Sequence, residues 1–280
     1  MRFALVIPLA VSLLPAQDLR QIIRHAVELD ANNIKTQRLY SYQERREQHE
    51  FDGSGKPRRE EVRTWDVIPL EGTSYRRLLA RNDVPLSPAE QSAELDKLHW
   101  TAEQRRKETP QERRRRIDES DRRQRTHDPL SELPDAFQFT LAGEAVIDGR
   151  PAYVIDATPR KGYRPKSQAA AYFPKIKARL WIDKADGQWV KVEAETLDTI
   201  SIGGFILRVA KGTRYTAEQM RITSSLWVPK RVWYKASARI ALVKSIQLEV
   251  ENRLGDYRQE PAPLPSSPAA ALMPRGPSSR

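Results

Sequence analysis

ARLWIDKADGQWVKVEAETLD, residues 178–198, places apolar and polar side chains alternately on either side of a glycine turn. Ile176, Ala178, Leu180 and Ile182 alternate with Lys177, Arg179, Trp181 and Asp183. After Lys184-Ala185-Asp186-Gly187, Val190, Val192 and Ala194 alternate with Lys191, Glu193 and Glu195. A period of two with one apolar face predicts two half-buried antiparallel strands, at 175–183 and 188–198. Immediately upstream, FTLAGEAVIDGRPAYVIDATPR (139–160) repeats the device around Asp148-Gly149, a dipeptide suited to the tightest hairpin turns.

Working outward, the spacing predicts strands over 137–147 and 150–158, then over 205–215, 218–224, 226–236 and 238–254. Upstream, 39–50 and 58–68 flank the turn DGSGKP, and 74–81 makes a third strand of that meander. Leu19, Ile22, Ile23, Ala26 and Val27 form one stripe of a helix over 18–33, with Asp18 and Gln21 placed as a capping box. Ser87-Pro88-Ala89-Glu90 and Thr109-Pro110-Gln111-Glu112 are two further helix starts. They open a charged helical insertion over 87–128, after the third strand. Strands joined in sequence by short turns build one large curved antiparallel sheet. The fold class is mostly β (α+β), and the helices at Asp18 and Ser87 are the elements available to cover the sheet's apolar face. No internal repeat is visible.

The chain opens MRFALVIPLAVSLLPAQ. One basic residue, a short apolar run and a small residue predict a signal peptide over 1–16, cleaved after Ala16. A buried strand or helix is the alternative; the run is too short to span a bilayer, which takes about 20 residues. The sequence holds no cysteine, so it has no acylation site of a lipoprotein, no disulfide and no cysteine zinc site. Removing 16 of the 280 residues leaves 264 and lowers the net charge from +11 to +10 by loss of Arg2. A periplasmic or secreted basic protein meets anionic membrane surfaces and envelope proteins rather than nucleic acid. From residue 257 to 280 the chain is rich in Pro, Ser and Ala and reads as a disordered tail behind a domain over 17–256.

The two hairpins at 139–160 and 178–198 resemble the periplasmic outer-membrane lipoprotein-sorting proteins of LolA/LolB type, and the lipoprotein-binding regulator domain of RseB type. The resemblance implies an unclosed antiparallel β-barrel whose mouth is covered by helices. It also implies a hydrophobic cavity between the concave sheet face and those helices, able to hold lipid or lipoprotein acyl chains. The lining expected on that basis is Leu180, Ile182, Val190, Val192, Phe205, Leu207, Val232, Tyr234, Ile240 and Leu242, for each of which plain core packing is the competing role. An envelope-stress sensor or assembly module working through protein contacts is the alternative use of such a fold.

Two basic segments could meet an anionic surface or a partner. Arg113, Arg114, Arg115 and Arg116 stand in the insertion with no acid among them; a solvated helix laced with i,i+4 pairs is the other reading. Lys161, Tyr163 and Arg164 form a basic-aromatic loop after Pro159, or else a plain connector. Enzymatic constellations are not found. His25, His49, His99 and His127 are scattered with no second ligand at metal spacing, and Asp156, Asp183 and Asp186 sit at strand ends, where surface aspartates usually fall. Gly53-Ser54-Gly55-Lys56 lacks the first glycine and the final Ser/Thr of a phosphate loop. We therefore expect no catalysis, no metal and no cofactor.

Overall fold

A computed structural model of the chain describes residues 16–126, 129–168, 170–202, 207–240 and 244–259. The expected signal peptide lies almost wholly outside them. The helix α1 (Ala16–Gln37) starts at the residue after which cleavage is expected. Leu19, Ile23 and Ala26 are the buried stripe that the spacing predicts. Asp18 falls inside the first turn instead of capping it, where the helix dipole still favours its charge.

The strands β1 (Tyr40–Phe51), β2 (Pro57–Leu70) and β3 (Thr73–Arg81) form the expected meander, extended by the short β4 (Val84–Pro85). The insertion is two helices, α2 (Pro88–Lys107) and α3 (Pro110–Thr126). Both capping boxes form: Ser87 Oγ accepts from the Glu90 amide at 3.4 Å, and Thr109 Oγ1 from that of Glu112 at 3.3 Å. In each, the glutamate reaches back to the cap residue's own amide. Two short helical turns over Pro129–Glu132 and Leu133–Ala136 lead into β5 (Phe137–Ile147) and β6 (Arg150–Pro159). Asp148 and Gly149 join these two, at φ of 49° and 78°, the left-handed pair that a two-residue hairpin turn requires.

Then come β7 (Ile176–Asp183), β8 (Trp189–Thr196), β9 (Ile200–Ile202), β10 (Leu207–Val209), β11 (Arg214–Arg221), β12 (Trp227–Ile240) and β13 (Lys244–Gln259). Three boundaries differ from expectation. The strand expected over 205–215 is only the three residues of β10, and β11 begins at Arg214. β12 continues to Ile240, so that residue belongs to β12 and not to the last strand. β13 runs past the expected domain end at 256: Tyr257 stacks on Tyr42 with ring centroids 4.9 Å apart, and its hydroxyl donates to the Pro229 carbonyl at 2.7 Å. The rest of the Pro-rich segment lies outside the described residues.

All thirteen strands belong to one antiparallel sheet, not closed into a barrel, in the order β4-β3-β2-β1-β13-β12-β11-β8-β7-β6-β5, with β10 on β12 and β9 on β10. Directly opposed residues share a face. One row of them runs from Phe139 through Ala157, Ala178, Ala194, Tyr215, Tyr234 and Val250 to Gln48 and Glu61. α1 packs on this face, where Leu19, Ile23 and Ala26 meet Phe137, Phe139, Ile155, Ala157, Leu180 and Ile182. Along β2, Arg63, Trp65 and Val67 follow Glu61 on that face, so Ile68 and Leu70 point the other way. Those two residues, with Tyr75, receive Leu98 and Ala102 of α2. α1 and α2 therefore sit on opposite faces of the sheet, and α2 is not a second cover over the face that holds α1, while α3 lies at the β2–β3 turn and pairs through Asp121 with Arg38 just after α1.

Candidate functional site: an uncovered apolar strip on the helix face

Beyond the reach of α1, its face continues as an apolar strip across β10 to β13. Tyr215, Tyr234 and Val250 form one row, Ala236 and Leu248 the next, and Val209, Ala238 and Ile246 a third. Val250 and Ile200, which opposes Val209, are buried; the others are half-buried, and Tyr215 is 40% exposed. On β1 the face turns polar, with Arg46, Gln48 and Glu50 opposite Asn252, Val250 and Leu248. The site is thus a greasy band with a charged border.

The expected lining residues divide. Leu180 and Ile182, 4% and 1% exposed, are core beneath α1, and Val192 packs against that core half-buried. Val190 lies on the other face. Trp181 and Ile182 on β7 oppose Lys191 and Trp189, so β8 carries one extra residue, a bulge that turns Val190 onto Ala152 and Trp227. Leu207, Val232 and Tyr234 are half-buried on the strip's own strands. Ile240 pairs with Leu207 through its backbone; its side chain, and Phe205 and Leu242 entirely, lie outside the described residues.

The basic segments divide too. Arg113 and Arg116 turn inward on α3: Arg113 pairs with Glu71, and Arg116 with Glu108 at 2.7 Å while donating to the Glu71 carbonyl. Arg114 and Arg115 face solvent, Arg115 pairing with Glu119 one turn on. Lys161 and Arg164 are exposed. Tyr163 packs against the core and donates to Glu132; burial together with that carboxylate pushes its hydroxyl pKa up.

Sequence reasoning missed two arrangements. A buried polar cluster pins the second half of α1: Asp30 accepts from Trp189 Nε1 and Gln219 Nε2, both at 2.8 Å, and Asn33 donates to Gln188 Oε1 at 3.0 Å. Gln188 in turn donates to Gln219 at 2.8 Å. The second is Glu47, His49 and Glu60, an alternate pair on β1 and the residue opposite on β2, close enough to share a cation. Arg45 already donates to Glu47 at 2.7 Å, and that cation disfavours a second one there. The signal for this group was present in the sequence as Glu47 and His49 two apart, next to a predicted turn.

No protein-family model and no curated protein matches the chain. The likeness is to solved structures of the lipoprotein-sorting group. A domain described provisionally as an outer membrane lipoprotein-sorting protein, from Vibrio parahaemolyticus, is 11% identical over 87% of this chain and 95% of its own, with a TM-score of 0.35. A LolA-superfamily protein from Nitrosomonas europaea is 12% identical over 89% and 96%, at 0.30. The MucA/MucB complex structure from Pseudomonas aeruginosa gives 14% over 85% and 100%, at 0.23. These agree with the resemblance read from the two hairpins, and at this level the likeness is one of architecture. No helix among the described residues is long and apolar enough to cross a membrane.

Proposed function

We propose that the chain is a non-enzymatic periplasmic binding or carrier protein that holds a lipid or lipoprotein acyl chain along the strip formed by β10 to β13. The observation that carries this is the position of the two helical units. α1 fills only one part of its face, α2 stands on the other, and among the described residues Tyr215, Tyr234, Ala236, Ala238 and Leu248 have no covering helix. Apolar side chains in an uncovered row favour an apolar ligand because each methylene withdrawn from water contributes about 0.8 kcal/mol. A fourteen-carbon chain with about half of its surface against the strip would contribute roughly 6 kcal/mol, against an association cost that starts at about 4 kcal/mol. Short chains would not hold.

The test is titration with a fluorescent long-chain fatty acid. Ala238 is half-buried and small, so Ala238→Asp puts a charge in the strip with little disturbance of packing. Affinity should fall at least about tenfold, equivalent to ~1.4 kcal/mol, with the melting temperature unchanged. Wild-type protein that takes up no probe, or a variant that binds as well as wild type, would overturn the reading. A protein partner is the second reading, favoured by the solvent-facing Arg114 and Arg115 of α3; it predicts capture that survives Ala238→Asp.

A further inference from the structure

The charged border of the strip contains an arrangement that folding alone disfavours. Arg46 on β1 stands directly opposite Arg63 on β2, and Arg63 directly opposite Arg81 on β3. Three like charges are thus ranked side by side across adjacent strands on one face, an arrangement that costs stability. Strands lie about 4.8 Å apart, so neighbouring guanidinium groups can reach one anion together. The ladder is only partly neutralised. Arg63 pairs with Glu61, and Arg81 with Glu90. Arg46 is half-buried, donates only to the neutral Gln48 at 3.1 Å, and has no carboxylate partner among the described residues.

The ladder also touches both greasy and open space. Arg46 opposes Asn252, which opposes Val232 of β12, so one row passes from apolar to cationic. The Asn252 Oδ1 atom is buried and lacks a hydrogen-bond partner. At the far end, Arg63 and Arg81 line a depression of about 240 Å³ together with Arg59, Asn82 and Val62 and the carboxylates Glu60 and Glu61, so an anion entering there must displace Glu61 from Arg63. That is room for a phosphate and a small part of what carries it.

We propose that the Arg46–Arg63–Arg81 ladder binds the phosphate headgroup of the amphiphile whose chain lies on the strip. This rests on the reading of the strip as an acyl site and names the ligand class as phosphate-bearing amphiphiles. Bidentate arginine contacts to phosphate oxygens give both the attraction and the geometry. The ladder begins on β1, directly beside the strip's outer strand β13, a distance that a single amphiphile spans.

The experiment compares myristoyl lysophosphatidic acid, monomyristoyl glycerol and inorganic phosphate by calorimetric titration of the full chain, below micelle-forming concentrations. The lysophosphatidic acid should bind about tenfold or more tighter than the monoglyceride, with the advantage shrinking at high salt. Arg46→Gln combined with Arg63→Gln should erase that advantage while leaving the monoglyceride affinity within about twofold. Arg46→Gln alone should melt at or above the wild-type temperature, since it relieves repulsion; a marked fall would make the ladder structural and overturn the proposal. Equal affinity of wild type for the two amphiphiles would overturn the headgroup site while the strip reading stands. If neither amphiphile binds, the strip reading fails and this one with it. Inorganic phosphate binding as tightly as the lysophosphatidic acid would show a free-phosphate site and overturn the headgroup assignment.

Discussion

Asp183 ends β7 with its side chain 1% exposed, not on the surface where strand-end aspartates usually fall. Burial alone would raise its pKa. Hydrogen bonds from Arg150, at 2.6 and 2.9 Å, and from the Asp186 and Ala185 amides, at 2.7 and 2.9 Å, outweigh burial and hold the pKa below the usual carboxylate range. A folded-state pKa that is depressed stabilises the fold above the unfolded value, and that contribution is lost as pH falls through the folded one. Asp183→Asn should therefore cost about 2 kcal/mol at neutral pH, less than a fully buried pair because Arg150 is partly exposed and also meets Asp186. It should also flatten the loss of melting temperature of the wild type below about pH 4, which a pH series of thermal melts would show. At this scale the sequence is legible where one residue type serves one conformation, as at Asp148-Gly149. It is silent at Val190, because Val190, Val192 and Ala194 read as one face and only the extra residue in β8 separates them. The ladder of arginines was equally hidden, since register across three strands is not written in any one of them.

The elements were readable where periodicity and caps agree. α2 has both a start signal and a buried stripe in its own residues, α1 the stripe and α3 the start signal, and the paired hairpins have glycine turns of fixed length. What α1 does past Ala26 was not readable. Asp30 and Asn33 look like the polar end of an amphipathic helix, yet Asp30 is 4% exposed and Asn33 8%, because partners 155 to 194 residues away in the chain close over them. The helix continues to Gln37 on that support. Gln219→Leu takes a donor from Asp30 and an acceptor from Gln188 inside a buried network. The expected cost is about 1–3 kcal/mol, read from urea midpoints, and it should not add to the cost of Asn33→Ala, since both belong to one network. Strict additivity of the two would show separate contacts. β9 escaped notice for a different reason: three residues are too few to show a period.

For the whole molecule the mostly β class and single sheet follow from the sequence, but the side on which each helix lies does not. Helical insertions carry no mark of the face they will meet; Leu98 and Ala102 are an ordinary stripe, and only Leu70, Ile68 and Tyr75 beneath them decide it. That placement makes α2 a buttress of the N-terminal meander. Leu98→Ala should destabilise the protein by about 2–4 kcal/mol while leaving fatty-acid affinity at the strip within about twofold. A changed affinity at temperatures where the variant remains folded would instead give the insertion a part in binding.

The pairing of β1 with β13 sets Tyr40 against Gln259, so the sheet's N-terminal strands find their neighbour only in the last strand of the described chain. These two partners stand at opposite ends of the described chain. Until β13 emerges, the meander with α2 and α3, and the run β5 to β12, have no seam between them. Closing a loop of that length is slow in proportion to the entropy it must remove, and topologies dominated by such distant pairings fold late. Until then only α1, packed on β5 to β7, ties the two parts together, the edges of β1 and β12 are bare, and the apolar strip that includes β13 is completed last.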